Sequence, residues 1–269
     1  MPADTEGQLG EEAKRRLLNL FAAVEQWRRR TQLMTPPPEA GSSLRKDDDI
    51  THPYQLSHAV AGAMVSAIDH LDALRALVQD AHIVHARAPF TLLRAALENS
   101  ATAVWLLAPP NRNERVSRRL RLQWADACDA ERAAALTGAE GRLSRADWKD
   151  KLEGIGRTAG LSEDQVRGVT KYRATFGSIV ETAGDETRGL KGQDALFCWM
   201  LASGIAHARL WAVLSSVLDR AEVPGAADGH VGMMLSASDK AVVLLCAVTA
   251  QMVTEGWRLF DERRQAYVL

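Results

Sequence analysis

The sequence predicts an all-α protein, a multi-helix bundle of about six to eight helices. Apolar residues recur at three- and four-residue steps through most of the 269-residue chain, which is the period of an amphipathic helix. The chain has no Asn-Gly hairpin turn and no convincing run of alternating β-branched residues. We therefore expect almost no strand.

The composition is that of an ordinary globular protein, with 46% hydrophobic and 25% charged residues. The formal net charge is -1, so no global field draws the chain to nucleic acid or to anionic lipid. Cys128, Cys198 and Cys246 are far apart and lie in helical apolar patterns, which favours reduced core thiols. Apolar runs fall short of the roughly 20 residues that span a bilayer, and no secretion signal is visible. We predict a cytoplasmic protein that contacts no membrane.

The N-terminal part divides into a helix and a linker. The helical period of residues 11–32 predicts an amphipathic helix, and residues 1–33 form the first predicted segment. The next segment, residues 34–52, holds three consecutive prolines, Gly41 and a run of charges, which predicts a flexible linker without regular structure. Residues 53–269 are predicted to form a single helical-bundle domain.

The domain pattern gives helices of unequal length. The helix after Pro89 is apolar nearly all round, so it is predicted to be the central one. Ser162 and Gln165 form a capping-box pattern, which predicts a helix start. The predicted helices run over about 54–87, 90–107, 113–136, 146–155, 163–179, 194–220 and 238–264, with turns near 138–141 and 224–229.

Two polar pairs interrupt otherwise apolar helices. Arg94 and Glu98 are spaced i,i+4, and so are Ser203 and His207. Because burying a charge is costly unless it is paired, we expect the two pairs to face each other and form a ligand-binding cluster. Arg94 is the predicted anion anchor, Glu98 its orienting carboxylate, His207 the proton donor or acceptor, and Ser203 its support. The alternative is a hydrogen-bond network that only fixes helix register, as in a non-catalytic scaffold.

Four histidines lie in the predicted helix over 54–87, and they raise the question of a metal site. They are His58, His70, His82 and His85. The Glu-x-x-His pattern of di-iron helical bundles is missing, and nearby histidine pairs arise readily by composition. We therefore predict no metal site and no cofactor.

Arg75 and His82 resemble the R-x(4–6)-H motif of the HEPN ribonucleases, a helical-bundle family. Arg75 is followed six residues later by His82, and Arg45 and His52 in the predicted linker match the same pattern. In that family an arginine and a histidine from two protomers meet at a dimer interface and cleave RNA without metal. The resemblance implies a metal-independent endoribonuclease of a defence or toxin system, with Arg75 and His82 catalytic. Both residues are expected on one flank of a helix.

An arginine cluster is a weak candidate for a nucleic-acid patch. Arg112, Arg115 and Arg119 share a helix face, with Arg118 and Arg121 nearby. Such a cluster is suited to holding phosphates or RNA. The alternative is a solvated helix face, or salt bridges to the acidic neighbours Asp126, Asp129 and Glu131.

The motifs in residues 55–215 together resemble a group of uncharacterised bacterial all-helical proteins. These proteins show an L-L-R-x-x-L-E helix, a basic helix and an S-x-x-x-H helix, which correspond here to residues 92–98, the segment around Arg115 and Arg118, and residues 203–207. The resemblance implies an all-α fold and no particular activity. The leading hypothesis is thus a bundle that binds a small molecule or organises a partner-protein surface, with a homodimer possible and RNA a partner only under the ribonuclease alternative.

Overall fold

The structure is a computed structural model that describes residues 11–33, 36–138, 143–215, 218–223 and 232–266. Within these ranges it is mostly α-helical with one two-stranded sheet, so the helical class is confirmed, but it contains eleven helices, not six to eight. Part of the excess arises because the helices predicted over 163–179 and 194–220 are each divided in two. The predicted turns near 138–141 and 224–229 lie largely or wholly outside the described residues.

The elements follow one another along the chain with a single short hairpin near the end. The helices are α1 (Glu11–Gln32), α2 (Ser43–Thr51), α3 (Leu56–Arg75), α4 (Ala88–Leu107), α5 (Arg112–Thr137), α6 (Arg145–Thr158), α7 (Glu163–Lys171), α8 (Phe176–Glu186), α9 (Gly192–Ala206), α10 (Leu210–Val213) and α11 (Asp239–Arg264). Strands β1 (Leu218–Val223) and β2 (Gly232–Ala237) pair antiparallel, with Leu218 opposite Ala237.

Helix α4 is the centre of the bundle, as its all-round apolar surface predicts. It packs against α3, α8, α9 and α11, and most of its side chains are buried. Helix α11, in the described part of the chain, is also long and apolar enough to meet the length and composition of a membrane span, and 61% of its apolar window is buried inside the protein. Cys198 and Cys246 lie in this core, and burial raises their thiol pKa values to about 11 and about 12.

Helices α5, α6 and α7 surround a second, smaller apolar cluster. Leu120, Leu152 and Val166 are fully buried there. The predicted capping box that begins α7 is confirmed, because Ser162 and Gln165 exchange side chain-to-backbone hydrogen bonds at 3.1 and 3.3 Å.

The predicted flexible linker is wrong for residues 43–51, which form α2. The Ser42 hydroxyl caps this helix by accepting a hydrogen bond from the Arg45 amide. Leu44 and Asp47 are fully buried, and Asp47 forms an ion pair with Arg115 of α5. The charge run therefore does not mark a solvated segment, since its central carboxylate points inward. Residues 34 and 35 of the predicted linker lie outside the described residues.

Two predicted long helices end early. The helix predicted over 54–87 ends as an α-helix at Arg75. A π-helical turn follows over Ala76–Asp80, and His82 after it adopts a φ of +58°. The helix predicted over 194–220 ends at Ala206. There Ala208 adopts a φ of +52°, and the Arg209 amide donates to the Gly204 carbonyl at 2.8 Å. Such left-handed residues end helices because they turn the next carbonyl off the helix axis.

Helix α1 docks on the bundle and is held at its end by Asp261. It packs against α3 and α11, and the Arg30 guanidinium donates two hydrogen bonds to Asp261 at 2.7 and 2.9 Å. Burial raises the pKa of Asp261, but hydrogen bonds from Arg30 and Arg264 outweigh it and hold that pKa below its usual value. The ionised carboxylate therefore stabilises the fold above the ordinary aspartate pKa, and this contribution is lost as pH falls through the folded-state pKa.

We expect Asp261→Asn to lower the free energy of unfolding near neutral pH by about 0.5–1 kcal/mol, a value discounted for solvent screening of a half-exposed pair. The difference from wild type should shrink as pH falls below the ordinary aspartate pKa of about 3.9, and it should vanish only below the lower folded-state pKa, where the carboxylate is protonated in both states. Urea unfolding of both proteins at several pH values measures this difference in the free energy of unfolding. A destabilisation that stays constant down to acidic pH would contradict the ion-pair explanation.

Candidate functional site

Three residues of the two predicted polar pairs, Arg94, Glu98 and His207, meet where α4 contacts α9. Nε of Arg94 donates to Oε1 of Glu98 at 2.9 Å, and the Trp199 indole N–H donates to the same oxygen at 2.7 Å. Nη1 of Arg94 lies 2.8 Å from Nε2 of His207. The expected approach of Arg94 and His207 within one chain is thus confirmed, and we call Arg94, Glu98, Trp199 and His207 the polar notch.

The hydrogen bonds of the notch define the state of its histidine. A guanidinium carries only donors, so Nε2 of His207 accepts, and we assign a neutral ring with its proton on Nδ1. The Glu98 carboxylate is buried and receives one charge-assisted and one indole hydrogen bond. His207 therefore orients the guanidinium of Arg94.

Ser203 does not join the network as expected. Its carbonyl accepts from the His207 amide at 3.1 Å, but among the described residues its hydroxyl makes no hydrogen bond with the notch. Trp199 takes the place assigned to Ser203. Trp199 precedes Ser203 by one helical turn, but the helical period does not predict its indole N–H as a donor to Glu98, because that contact depends on how α9 is rotated against α4.

The outer face of the α9 region is apolar and exposed. The outward positions of α9 include Phe197 and Met200, at helical spacing, and the exposed His207 follows directly after the helix ends. Phe197 is 56% exposed, Trp211 51% and Leu210 68%, and the Trp211 ring lies against Gly204 of α9. The surface formed by these side chains, which we call the α9 stripe, consists of Phe197, Met200, Leu210, Trp211 and Leu214.

The predicted nucleic-acid patch is wrong for three of its four arginines, because they point into the protein. Arg115 binds Asp47, and Arg118 binds Glu114 and Glu186 at 3.0 Å each. Arg119 is buried and donates to the Gln123 side chain. Only Arg112 is exposed. The carboxylates that pair with Arg115 and Arg118 come from α2, α5 and α8, not from the acidic residues 126–131.

Arg75 and His82 do not share a helix flank, since α3 ends at Arg75 and His82 follows the π-helical turn. Arg75 donates to Asp72 at 2.6 Å and to Asp80 at 3.0 Å. The hydrogen bond to Asp72, with a smaller contribution from Asp80, raises the pKa of Arg75. The arginine thus lies between carboxylates, not in a basic cleft. The ribonuclease alternative stays a prediction, and among the described residues the hydrogen-bond partners of Arg75 are Asp72 and Asp80, not His82.

The four histidines that raised the question of a metal site differ in their exposure. His58, His82 and His85 are exposed and His70 is half-buried. In the ranges that the structure describes, no three His, Cys, Asp or Glu side chains are grouped closely enough to hold a metal ion.

Comparisons with known proteins assign no family to this chain. No protein-family model, no curated protein and no solved structure matches it. The resemblance to uncharacterised bacterial helical proteins therefore stays a prediction, and the function has to be argued from the polar notch and the surface around it.

Proposed function

We propose that this chain is an interaction module that binds a partner protein through the α9 stripe. Arg94 would recognise an acidic side chain of that partner. The observation that carries the proposal is the position of the polar notch, which reaches the surface at His207, directly after α9 and between the exposed apolar residues of α9 and those of α10. Interfaces commonly combine apolar anchors with a few positioned polar groups in this way.

The apolar side chains of the stripe supply the affinity. Soluble proteins expose single apolar residues freely, but a contiguous cluster of large ones marks an interaction surface. Burying one such side chain contributes roughly 1.5–3 kcal/mol, and aromatic anchors such as Phe197 and Trp211 are typical of interface hot spots. A helix as apolar as α9 that leaves one face in solvent is therefore best explained by a second protein covering that face.

The notch supplies the specificity. Within the described part of the chain, Nη2 of Arg94 makes no hydrogen bond, and a quarter of the side chain is exposed. Glu98 and His207 fix the guanidinium plane, so the remaining donor is preorganised for a carboxylate. A second copy meeting notch to notch would bring two Arg94 side chains together, which favours a different protein as the partner.

We expect a random peptide library displayed on phage to yield, on the immobilised protein, peptides with two or more large apolar residues flanking Asp or Glu. Phe197→Asp should abolish this enrichment, because it places a charge inside the apolar contact. Arg94→Met should still enrich apolar peptides, but these should no longer contain the acidic residue, since the guanidinium donor is gone. Sequencing the enriched pools measures both effects.

The matched control is Leu136→Asp, which changes another exposed leucine, 85% exposed at the end of α5, outside the stripe. It should leave the enriched peptides unchanged. The same peptides on Phe197→Asp, or no enriched class on wild type, would overturn the proposal.

A further inference from the structure

A large groove lies on the side of the bundle where α3, α4, α5, α9 and the segment 173–179 meet. Its volume is about 940 Å³, which is in the range of small-molecule sites. One side is made of small residues of α3, among them Gly62, and apolar walls come from Leu122, Phe176, Ile179 and Trp199. The groove is thus wide enough and apolar enough for a flat organic molecule.

One buried cation lines this groove, and among the described residues no carboxylate lies within ion-pair distance of it. Arg119 is only 8% exposed. Nη2 donates to the Gln123 amide oxygen at 2.9 Å and Nε to the Gln55 carbonyl at 3.4 Å, and among the described residues no carboxylate pairs with it. Burial lowers the pKa of Arg119 to about 10, despite the opposing charge of Asp126. A buried charge that no opposite charge contacts is costly. The position of Arg119 beside an open groove therefore favours binding of an anionic ligand there.

The carboxylates at the groove are already engaged. Oδ2 of Asp126 accepts from the Gln123 side chain at 3.2 Å, and Asp129 forms an ion pair with Arg173 at 2.5 Å. Nη1 of Arg119 makes no hydrogen bond to the part of the chain that the structure describes. Nη1 of Arg119 is therefore a cationic donor at the groove that can still take a ligand.

We infer that this groove binds a small organic anion, whose flat apolar body lies against Trp199 and Phe176 and whose acidic group pairs with Arg119. The inference is independent of the proposed partner surface, because it uses other side chains. Trp199 is the only residue named in both sites, as a groove wall and as the indole donor to Glu98.

Two dyes that differ in one group test the anionic requirement. The first is 8-anilinonaphthalene-1-sulfonate, and the second is N-phenyl-1-naphthylamine, the same aromatic body without the sulfonate. We expect wild type to bind the sulfonate about tenfold more tightly than the neutral dye, as one charge-assisted hydrogen bond would give. Arg119→Met should remove this preference and keep binding of the neutral dye, whereas Arg119→Lys should retain part of it. Fluorescence titration of the three proteins with each dye measures these affinities.

The location is tested at Gly62, where an added Cβ meets no atom within 4 Å. Gly62→Phe therefore fills the groove without displacing its walls and should weaken both dyes about tenfold. The control Gly168→Phe changes a glycine of α7 that is equally unobstructed, and it should have no effect. Thermal unfolding confirms that each variant is folded.

Three results would overturn the inference. Equal affinity of wild type for the two dyes would remove the anionic requirement, and absence of binding would remove the site. Dye binding that is lost with Phe197→Asp but kept with Gly62→Phe would place the dye on the α9 stripe instead. None of these results bears on the peptide experiment with Arg94→Met, so the two proposals fail separately.

Discussion

Replacing Arg115 by methionine should destabilise the protein by about 3–5 kcal/mol, because it leaves a buried carboxylate without a partner. Nε and Nη2 of Arg115 bind the two oxygens of Asp47 at 2.7 and 3.1 Å, and Asp47 is fully buried. The same guanidinium donates to the carbonyls of Pro109 and Pro110 at 2.9 Å each. One side chain thus ties α2, α5 and the end of α4 together. Urea unfolding measures the loss.

Two further variants separate the ion pair from simple loss of volume. Arg112→Met, three residues away on the same helix but exposed, should change stability by less than about 0.5 kcal/mol. The double variant Asp47→Leu with Arg115→Met should recover most of the lost stability, because no charge remains buried. If the free energy of unfolding of Arg115→Met is within about 1 kcal/mol of the wild-type value, the ion pair does not hold α2 in place.

Gly192→Ala should cost about 2–3 kcal/mol, by forcing α8 and α9 apart. An added Cβ at Gly192 would lie 2.4 Å from the Glu181 carbonyl oxygen and 2.6 Å from Oδ2 of Asp185, both on α8. The neighbouring Gly184 shows why this contact is so close, since its own Cβ position is 2.8 Å from the Gly192 Cα. The helices therefore cross backbone to backbone, and no rotamer change can relieve the clash.

The separation of α8 from α9 in Gly192→Ala should also change the fluorescence of Trp199. The indole ring packs beside Gly177 of α8, about 3.4 Å from where a Cβ would stand, so movement of α8 changes the surroundings of the ring. We expect a shifted tryptophan emission spectrum together with the lower stability. Gly154→Ala, at an unobstructed helical glycine of α6, should instead stabilise by about 0.4–1 kcal/mol. Equal effects of the two substitutions would show that helix propensity, not the crossing, determines the result.

The features that depend on local periodicity could be predicted from the amino-acid sequence alone. The apolar period gave the helical class, the all-round apolar surface gave α4 as the central helix, and Ser162 with Gln165 gave the start of α7. It also indicated that Arg94 and His207 belong together, because a polar residue in an apolar helix needs a partner and each helix carried one such pair. These features could be predicted because helix formation and burial cost act over a few residues.

Tertiary packing decided which charges lie inside and which apolar residues remain in solvent. The runs that hold Asp47 and Arg115 have the composition of solvated segments, yet both side chains are buried because α2 and α5 present them to each other across 68 residues of sequence. Phe197 and Met200 have the composition of core residues, yet they are exposed because the core is already filled on the other face of α9. Burial is a property of the assembled helices, and a pattern within one helix does not contain the rotation of its neighbours.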